Sequence, residues 1–248
     1  MKIIISPAKK MQVDTDSFLA ETVPDYLSET QQILARMRQL TFEELHTLWH
    51  CSEKLAQTNY DQLQHLDLNA AATPAIIAFT GIQYQYMAPD LFTVNALAYV
   101  KQNLRILSGF YGILRPFDGI VPPYRLEMQA PLTVGNAQNL YQFWGTKLAT
   151  TLQTNREPII NLASQEYAKT IRPYLPATQP FIDIVFGQLV AGKVKTKATL
   201  AKMARGEMVR YLAENNVQTL TKVQQFDHLN YQFQPQLSTS TKLVFLQK

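Results

Sequence analysis

The feature that most constrains the fold of this chain is a continuous apolar run at residues 2–6, Lys-Ile-Ile-Ile-Ser, which ends at Pro7. Strands with one face in water alternate apolar and polar residues, whereas strands covered on both faces are apolar throughout. The run therefore predicts a buried strand inside a parallel or mixed sheet. Three further runs, at residues 75–79, 158–162 and 181–186, predict additional strands.

Helical patterns lie between these runs. Thr41 and Glu44 have the spacing of a capping box, which predicts the start of a helix. Apolar residues at helical spacing predict helices at residues 24–38, 90–103, 140–152 and 197–215. Later segments predict two hairpins. Residues 190–196 pair with the strand at 181–186 across a turn at Ala191–Gly192, and residues 231–233 pair with 243–246. The order predicts a single α/β domain over residues 1–248, with a mixed β-sheet and flanking helices.

Composition limits the class of protein. Charged residues make up 17% of the chain and hydrophobic residues 46%, which excludes a disordered chain. The net charge of +4 is mildly basic and fits a nucleic-acid or nucleotide partner. Cys51 is the one cysteine, and no apolar stretch has the length of a membrane helix. We expect a cytoplasmic protein without membrane association, bound metal or resident cofactor.

Residues 104–128 contain glycines, prolines and charged side chains close together. Gly109 and Gly112 follow an apolar start, and Arg115 precedes Pro116. Glycine lets a backbone approach a ligand closely, and arginine grips phosphate. The pattern predicts a helix-hairpin-helix-like element whose turn and Arg115 hold a phosphate. The alternative is a turn that only redirects the chain, since the usual hairpin has Gly-x-Gly and this one has Gly-x-x-Gly.

The same window ends in Tyr124-Arg125-Leu126-Glu127. In an extended backbone Arg125 and Glu127 point to the same side. They either pair with each other or present a cation and a general acid or base to a ligand. If the site is catalytic, Glu127, Lys9 and Tyr124 are the candidates.

Polar residues follow two of the predicted strands. Ser6 and Lys9 come after the first, and Asn161 begins a polar stretch with Ser164 and Tyr167 at the end of another. Ligands of open α/β sheets bind at the carboxyl ends of strands. These side chains, together with Tyr141 of a dense aromatic segment, are the predicted pocket residues. Ordinary strand exits and helix capping are the alternative explanation.

A basic segment completes the candidate sites. Residues 193–210 carry six Lys and Arg against Glu207, so the segment has a charge of 6 − 1 = +5 while the whole chain has +4. Such a patch favours contact with a phosphate backbone, although most charge runs are only solvated. The predicted nucleic-acid contacts are Lys9, Gly109, Gly112, Arg115, Arg125, Lys193, Lys195, Lys197, Lys202 and Arg205.

Six motifs together resemble one known family, the YaaA peroxide stress resistance proteins. They are Ser6-Pro7-Ala8-Lys9, LSGFYGILRP at 107–116, PYRLEM at 123–128, LYQFWG at 140–145, NLASQEY at 161–167 and Ala204-Arg205-Gly206. The resemblance implies a bacterial response to hydrogen peroxide that limits oxidative damage and keeps free iron low. It also implies DNA binding through a positively charged cleft and a helix-hairpin-helix element, which the motifs place around residues 107–115.

Two functional hypotheses remain open at this point. The first is a stress protein that binds double-stranded or distorted DNA with weak sequence preference. The second is an enzyme acting on a nucleotide or a damaged nucleobase, since backbone binding alone does not need a Glu, an Asn and three Tyr at strand ends. A nucleotide-like small ligand is therefore a second expected partner.

Overall fold

The computed structural model describes residues 1–70, 72–152 and 156–248. Its strands are β1 (Lys2–Ile5), β2 (Thr73–Pro74), β3 (Leu104–Ser108), β4 (Gly112–Leu114), β5 (Gly119–Ile120), β6 (Ile159–Leu162), β7 (Phe181–Val190), β8 (Lys193–Lys195), β9 (Tyr231–Phe233) and β10 (Lys242–Gln247).

The helices flank these strands in an α/β arrangement. They are α1 (Leu27–Arg38), α2 (Phe42–Trp49), α3 (Glu53–His65), α4 (Ala75–Ala78), α5 (Ile82–Met87), α6 (Val94–Asn103), α7 (Leu140–Trp144), α8 (Lys147–Leu152), α9 (Gln165–Ala168), α10 (Ala198–Glu214) and α11 (Leu220–Val223).

Within the described residues, the main sheet has eight strands, and the path through it is β4-β3-β1-β6-β7-β10-β9, with β8 paired to β7. The five inner strands from β3 to β10 run parallel, and β4, β8 and β9 are antiparallel to their neighbours. This confirms the expected α/β fold with a mixed sheet. The small pair β2–β5 is a separate antiparallel ladder.

Strand β1 lies in the middle of the parallel region. Ile3, Ile4 and Ile5 are inaccessible to solvent, and the strand pairs with β3 on one side and β6 on the other. Both faces of the strand are therefore covered, as its unbroken apolar sequence predicted.

Several local predictions hold for equally local reasons. Thr41 and Glu44 make the reciprocal hydrogen bonds of a capping box at the start of α2. Ala191 and Gly192 both have positive φ, and they connect β7 to β8 in the predicted hairpin. Strands β9 and β10 form the expected terminal pair.

Two element predictions from apolar patterns are wrong. Residues 75–78 form the buried helical turn α4 where a strand was expected at 75–79, because a short apolar run suits any element that is covered on all sides. The helix expected at 140–152 is divided into α7 and α8, because Gly145 ends α7 with a φ of 47°.

Helices α5 and α10 pack backbone to backbone at Gly206. A Cβ atom at this position would lie 2.1 Å from the carbonyl oxygen of Gln83 and 2.9 Å from the backbone nitrogen of Met87. Glycine is the one residue type that allows this approach. The contact therefore brings Gln83 of α5 close to Arg205, which precedes Gly206 in α10.

Replacing Gly206 by Ala should lower the free energy of unfolding by about 3 kcal/mol or more, since both helices would have to separate. Urea unfolding measures the change. Gly192→Ala is the control, because no atom lies within 4 Å of its Cβ position and only its φ of 73° opposes the change. We expect about 1 kcal/mol there. Equal losses in both variants would contradict the packing argument.

Candidate functional site

The site begins where three neighbouring parallel strands end. Ser108 ends β3, Ser6 follows β1, and Ser164 lies two residues beyond β6. The strand order changes direction at β1, with β3 on one side and β6 on the other, and ligands of α/β sheets bind at such a point. The Ser164 backbone N–H donates to the Ser6 hydroxyl at 2.9 Å, so the ends of β1 and β6 are joined directly.

A cleft of about 570 Å³ lies at this edge of the sheet. That volume falls in the range of pockets for small ligands. Four segments and α10 form its walls. The lining residues used below are Ser6, Lys9, Gln83, Tyr124, Arg125, Glu127, Ser164, Glu166, Tyr167, Lys202 and Arg205.

An ion-pair group centred on Glu127 occupies one wall. A Glu127 carboxylate oxygen lies 3.0 Å from Lys9 Nζ and 3.2 Å from an Arg125 guanidinium nitrogen. The side chains of Glu127 and Arg125 are 16% and 11% exposed, whereas that of Lys9 is 68% exposed. Arg125 and Glu127 therefore do pair, and both also line the cleft, while their presentation to a ligand stays a prediction.

Arg125 is fixed from behind by Trp49, at the end of α2. Trp49 Nε1 donates to the Arg125 carbonyl at 2.8 Å, and the Arg125 guanidinium donates to the Trp49 carbonyl at 3.2 Å. The capping box at the other end of the same helix therefore contributes to the position of a residue in the cleft.

Tyr124 is held by the first strand end. Its hydroxyl hydrogen-bonds to the Ser108 hydroxyl at 2.8 Å, and Ser108 Oγ also accepts from the backbone N–H groups of Phe110 and Tyr111. Burial raises the pKa of the Tyr124 hydroxyl, and burial with the charge of Glu166 raises the pKa of Tyr167. Both phenols therefore stay protonated at neutral pH and keep a hydrogen to donate.

Glu166 is a second carboxylate in the cleft. Its Oε1 accepts from the Gln129 backbone N–H at 3.2 Å. Burial, followed by the negative charge of Glu127, raises the pKa of Glu166 above its ordinary value of 4.5. The sequence prediction missed this residue, although it lies between the two pocket candidates Ser164 and Tyr167.

The wall formed by α5 and α10 is cationic. Lys202 and Arg205 lie one turn apart on α10, and Gln83 of α5 lines the same wall. Gln83 was also missed, and the available signal was its position just after Thr80-Gly81, which the sequence places behind a buried apolar run.

The helix-hairpin-helix expected at residues 104–114 is wrong, because β3 and β4 form an antiparallel β-hairpin there. Gly112 has a φ of 75° and lies against Trp144 and Leu148, where a Cβ would be 2.8–2.9 Å from their side chains. It therefore packs against the core, and its contact with a phosphate stays a prediction. Apolar residues before a glycine turn end a strand as well as a helix.

Gly109 also has a structural contact. A Cβ there would lie 2.7 Å from the Leu126 carbonyl oxygen and 3.0 Å from the carbonyl carbon of Glu127. The hairpin turn is thus pressed against the segment that carries Arg125 and Glu127. Gly109 therefore helps to position that segment, and its contact with a phosphate stays a prediction.

Arg115 lies outside the cleft and is fully engaged. Its Nε donates to Asp118 at 2.9 Å, and its guanidinium also contacts Asp25 at 3.0 Å and the Val23 carbonyl at 2.8 Å. Asp118 is buried within the same turn. The arginine therefore stabilises this turn, and its contact with phosphate stays a prediction.

Two other pocket candidates support the cleft from outside. Asn161 is buried, donates to Asp183 at 2.8 Å and accepts from the Ala163 N–H at 3.0 Å. Tyr141 donates to the Glu166 carbonyl at 3.1 Å. Both hold the segment after β6, and neither is among the residues that line the cleft.

The basic segment is divided by the structure. Lys193 and Lys195 are exposed on β8, Lys197 is exposed at the start of α10, and Lys202 and Arg205 reach the cleft. We call these five residues the cationic stripe. Arg210, further along α10, pairs with Glu214 at 2.8 Å and does not belong to it.

Two negative findings apply to residues 1–70, 72–152 and 156–248. No group of three or more His, Cys, Asp or Glu side chains there is arranged to hold a metal ion. No helix in these ranges is long and apolar enough to cross a membrane.

Comparison with known proteins identifies close relatives over the full length. A family model described as "Peroxide stress protein YaaA" matches residues 1–237. A UPF0246 protein of Lactiplantibacillus plantarum is 63% identical over 99% of each chain. UPF0246 proteins of Pediococcus pentosaceus and Agathobacter rectalis are 58% and 46% identical, and each alignment covers at least 98% of both chains.

Replacing Glu166 by Gln should raise the unfolding temperature at pH 7 by no more than about 2 °C and flatten its pH dependence. Because the folded-state pKa is raised, the folded protein binds this proton more tightly than the unfolded chain. That stabilisation is complete below the unfolded pKa and is lost as the pH rises through the folded pKa. The amide keeps the acceptor for Gln129.

Thermal unfolding between pH 4 and pH 8 tests this expectation. Glu43→Gln, an exposed change in the first turn of α2, is the control and should leave the slope unchanged. A Glu166→Gln curve parallel to that of the wild type would show that burial does not affect this carboxyl.

Proposed function

The chain belongs to the peroxide stress protein YaaA family, and we propose that it acts in peroxide defence by binding DNA with weak sequence preference. The observation that carries the proposal is the cationic stripe, which runs from β8 along the start of α10 into the cleft. Lysine and arginine neutralise backbone phosphates irrespective of base sequence. The stripe replaces the hairpin of residues 107–115 as the proposed contact surface.

The charge distribution supports this assignment. Lys193, Lys195 and Lys197 are exposed, and none of the three has an ion pair with a described residue. Elsewhere many cations are engaged, as Arg115 is by Asp118 and Asp25. Exposed lysines without ion pairs favour the binding of a polyanion, because each contact with a phosphate releases a condensed counterion.

Keeping free iron low, which the family resemblance implies, stays part of the proposed role. Protein bound to DNA would then act at the place where iron and peroxide together damage the DNA. Electron paramagnetic resonance of labile iron in cells with and without the gene is the direct measurement. Unchanged labile iron would remove this half of the proposal and leave DNA binding to be judged separately.

The triple variant Lys195→Ala, Lys197→Ala, Lys202→Ala should bind DNA more weakly for all sequences alike. Loss of three phosphate contacts should lower the slope of log affinity against log salt by about 2 to 3. Fluorescence anisotropy with short duplexes of unrelated sequence, at several salt concentrations, measures both quantities.

A triple change at Lys54, Lys222 and Lys242 is the matched control. These lysines are exposed on α3, α11 and β10, outside the cleft lining, and their loss changes the net charge equally. Wild-type protein that fails to bind at low salt, or equal losses in the two triple variants, would contradict the proposal.

Enzymatic action on a nucleotide or damaged nucleobase is the second candidate function. The observation that favours it is Glu127, a largely buried carboxylate between two cations with the protonated phenols of Tyr124 and Tyr167 in the same cleft. Non-specific backbone binding has no use for a carboxylate there, since it repels phosphate. A general acid or base at that position would use this environment.

Glu127→Gln separates the two functions. If the cleft is catalytic, peroxide survival should fall to the level of cells without the gene, because loss of an acid–base group lowers turnover by about 10²- to 10⁴-fold. Affinity for DNA should stay within about twofold in the same variant. Survival equal to wild type, combined with sensitivity of the triple lysine variant, would eliminate the enzyme.

A further inference from the structure

The cationic wall carries two buried donors that the protein does not satisfy. Gln83 Nε2 and Arg205 Nε are both inaccessible to solvent and have no hydrogen-bond acceptor among the described residues. Gln83 as a whole is only 7% exposed. Buried N–H groups are nearly always paired, because an unmade hydrogen bond loses the hydration of the donor without replacement.

The backbone that carries the two donors is held in place at Gly206. Gly206 follows Arg205 in α10, and the Gly206 contact closes directly on the Gln83 carbonyl. The backbone atoms beside both side chains are therefore fixed relative to each other. Other atoms of both residues line the cleft, so a rotation of each side chain, with the backbone fixed, would bring its buried donor to an acceptor inside the cleft.

The charge at this wall is only partly compensated. Neither Lys202 nor Arg205 has an ion pair with a described residue, and Asp183, the carboxylate that influences Arg205, already binds Arg172 and Asn161. Burial lowers the pKa of the Arg205 guanidinium, as expected for a cation that lacks a close counterion. The missing acceptor should therefore be an anion.

The rest of the cleft lining is closer to neutral, because Lys9 and Arg125 pair with Glu127. Glu127 and Glu166 supply carboxylate oxygens there, and Tyr124 and Tyr167 supply aromatic surface. A continuous phosphate backbone is disfavoured along this part, because its cations are already paired and Glu166 adds a second carboxylate. A ligand that suits the whole cleft has an anionic end and a flat end with hydrogen-bond donors.

We propose that Gln83, Lys202 and Arg205 bind the phosphate of a single nucleotide, whose base lies in the half of the cleft lined by Tyr124, Glu166 and Tyr167. The base stacks on aromatic surface, and its amino group donates to the carboxylate. This subsite extends the proposed function. It rests on the proposed DNA binding in one respect, because DNA would supply the nucleotide. A free nucleoside monophosphate has the same chemistry and is the other source.

Isothermal titration with dAMP, deoxyadenosine and inorganic phosphate tests the subsite in the full chain. Wild-type protein should bind dAMP at least about tenfold more tightly than deoxyadenosine, as expected when charged hydrogen bonds are added. Arg205→Met should reduce dAMP binding to the level of the nucleoside, and Gln83→Leu should weaken it by a few-fold. Deoxyadenosine binding should be the same in all three proteins.

Arg210→Met is the matched control. It removes the same charge from the same helix, but Arg210 pairs with Glu214 outside the cleft lining, so dAMP binding should stay within twofold of wild type. If dAMP binds no more tightly than deoxyadenosine, or if Arg205→Met binds dAMP as wild type does, the subsite is wrong.

An NMR measurement on wild-type protein tests the subsite without relying on the folding of any variant. Addition of dAMP should shift the NMR signals of the Arg205 Nε–H and the Gln83 side-chain amide, whereas deoxyadenosine should leave them in place. Signals that do not move with dAMP would overturn the proposal even if both variants unfold.

Duplexes identify the source of the nucleotide. Tighter binding of a duplex with one unpaired nucleotide than of a fully paired duplex, with the preference lost in Arg205→Met, supports a nucleotide taken from DNA. Binding of dAMP without that preference supports the free nucleotide. If wild-type protein binds no duplex at low salt, the proposed DNA function fails, and the dAMP titration still decides the subsite.

Discussion

The parallel pairing of β1 with β3 and β6 is the constraint on which the rest of the structure depends. Its three isoleucines have no contact with solvent, so the strand can lie only at the centre of a sheet covered on both faces. Parallel neighbours end at the same edge, which brings Ser6, Ser108 and Ser164 together from distant parts of the sequence. Each serine then holds a part of the cleft, and the strongest example is Ser108 with Tyr124.

Fold class and many elements were predictable because their signals are local. An unbroken isoleucine run, a capping box and an Ala-Gly hairpin turn each determine backbone geometry within a few residues. The β3–β4 hairpin was not predictable in this way. Its glycines are required by Trp144 and by the backbone of residues 126–128, which are contacts that no local pattern contains.

Arg115 and Arg125 illustrate the same limit within one window. Both precede or follow prolines and turns, and both were expected to meet phosphate. Asp118 neutralises the first from three residues away, which the sequence itself displays. The second is placed by Trp49 of α2 and by Glu127, and only the tertiary structure shows that this pair also opens into a cleft. Gln83 and Glu166 could not be predicted as site residues, because α10 and the end of β1 come close to them only in the folded protein.

The glycine contacts at residues 109 and 206 have a consequence for the thermodynamics of recognition. Each presses one wall of the cleft against neighbouring backbone at a distance that leaves no room for a methyl group. Such walls lose little conformational entropy when a guest enters, since they are already ordered before it arrives. The affinity of a ligand for such a cleft would depend mainly on its own fit and hydration, because the backbone of these two walls is already in place before binding.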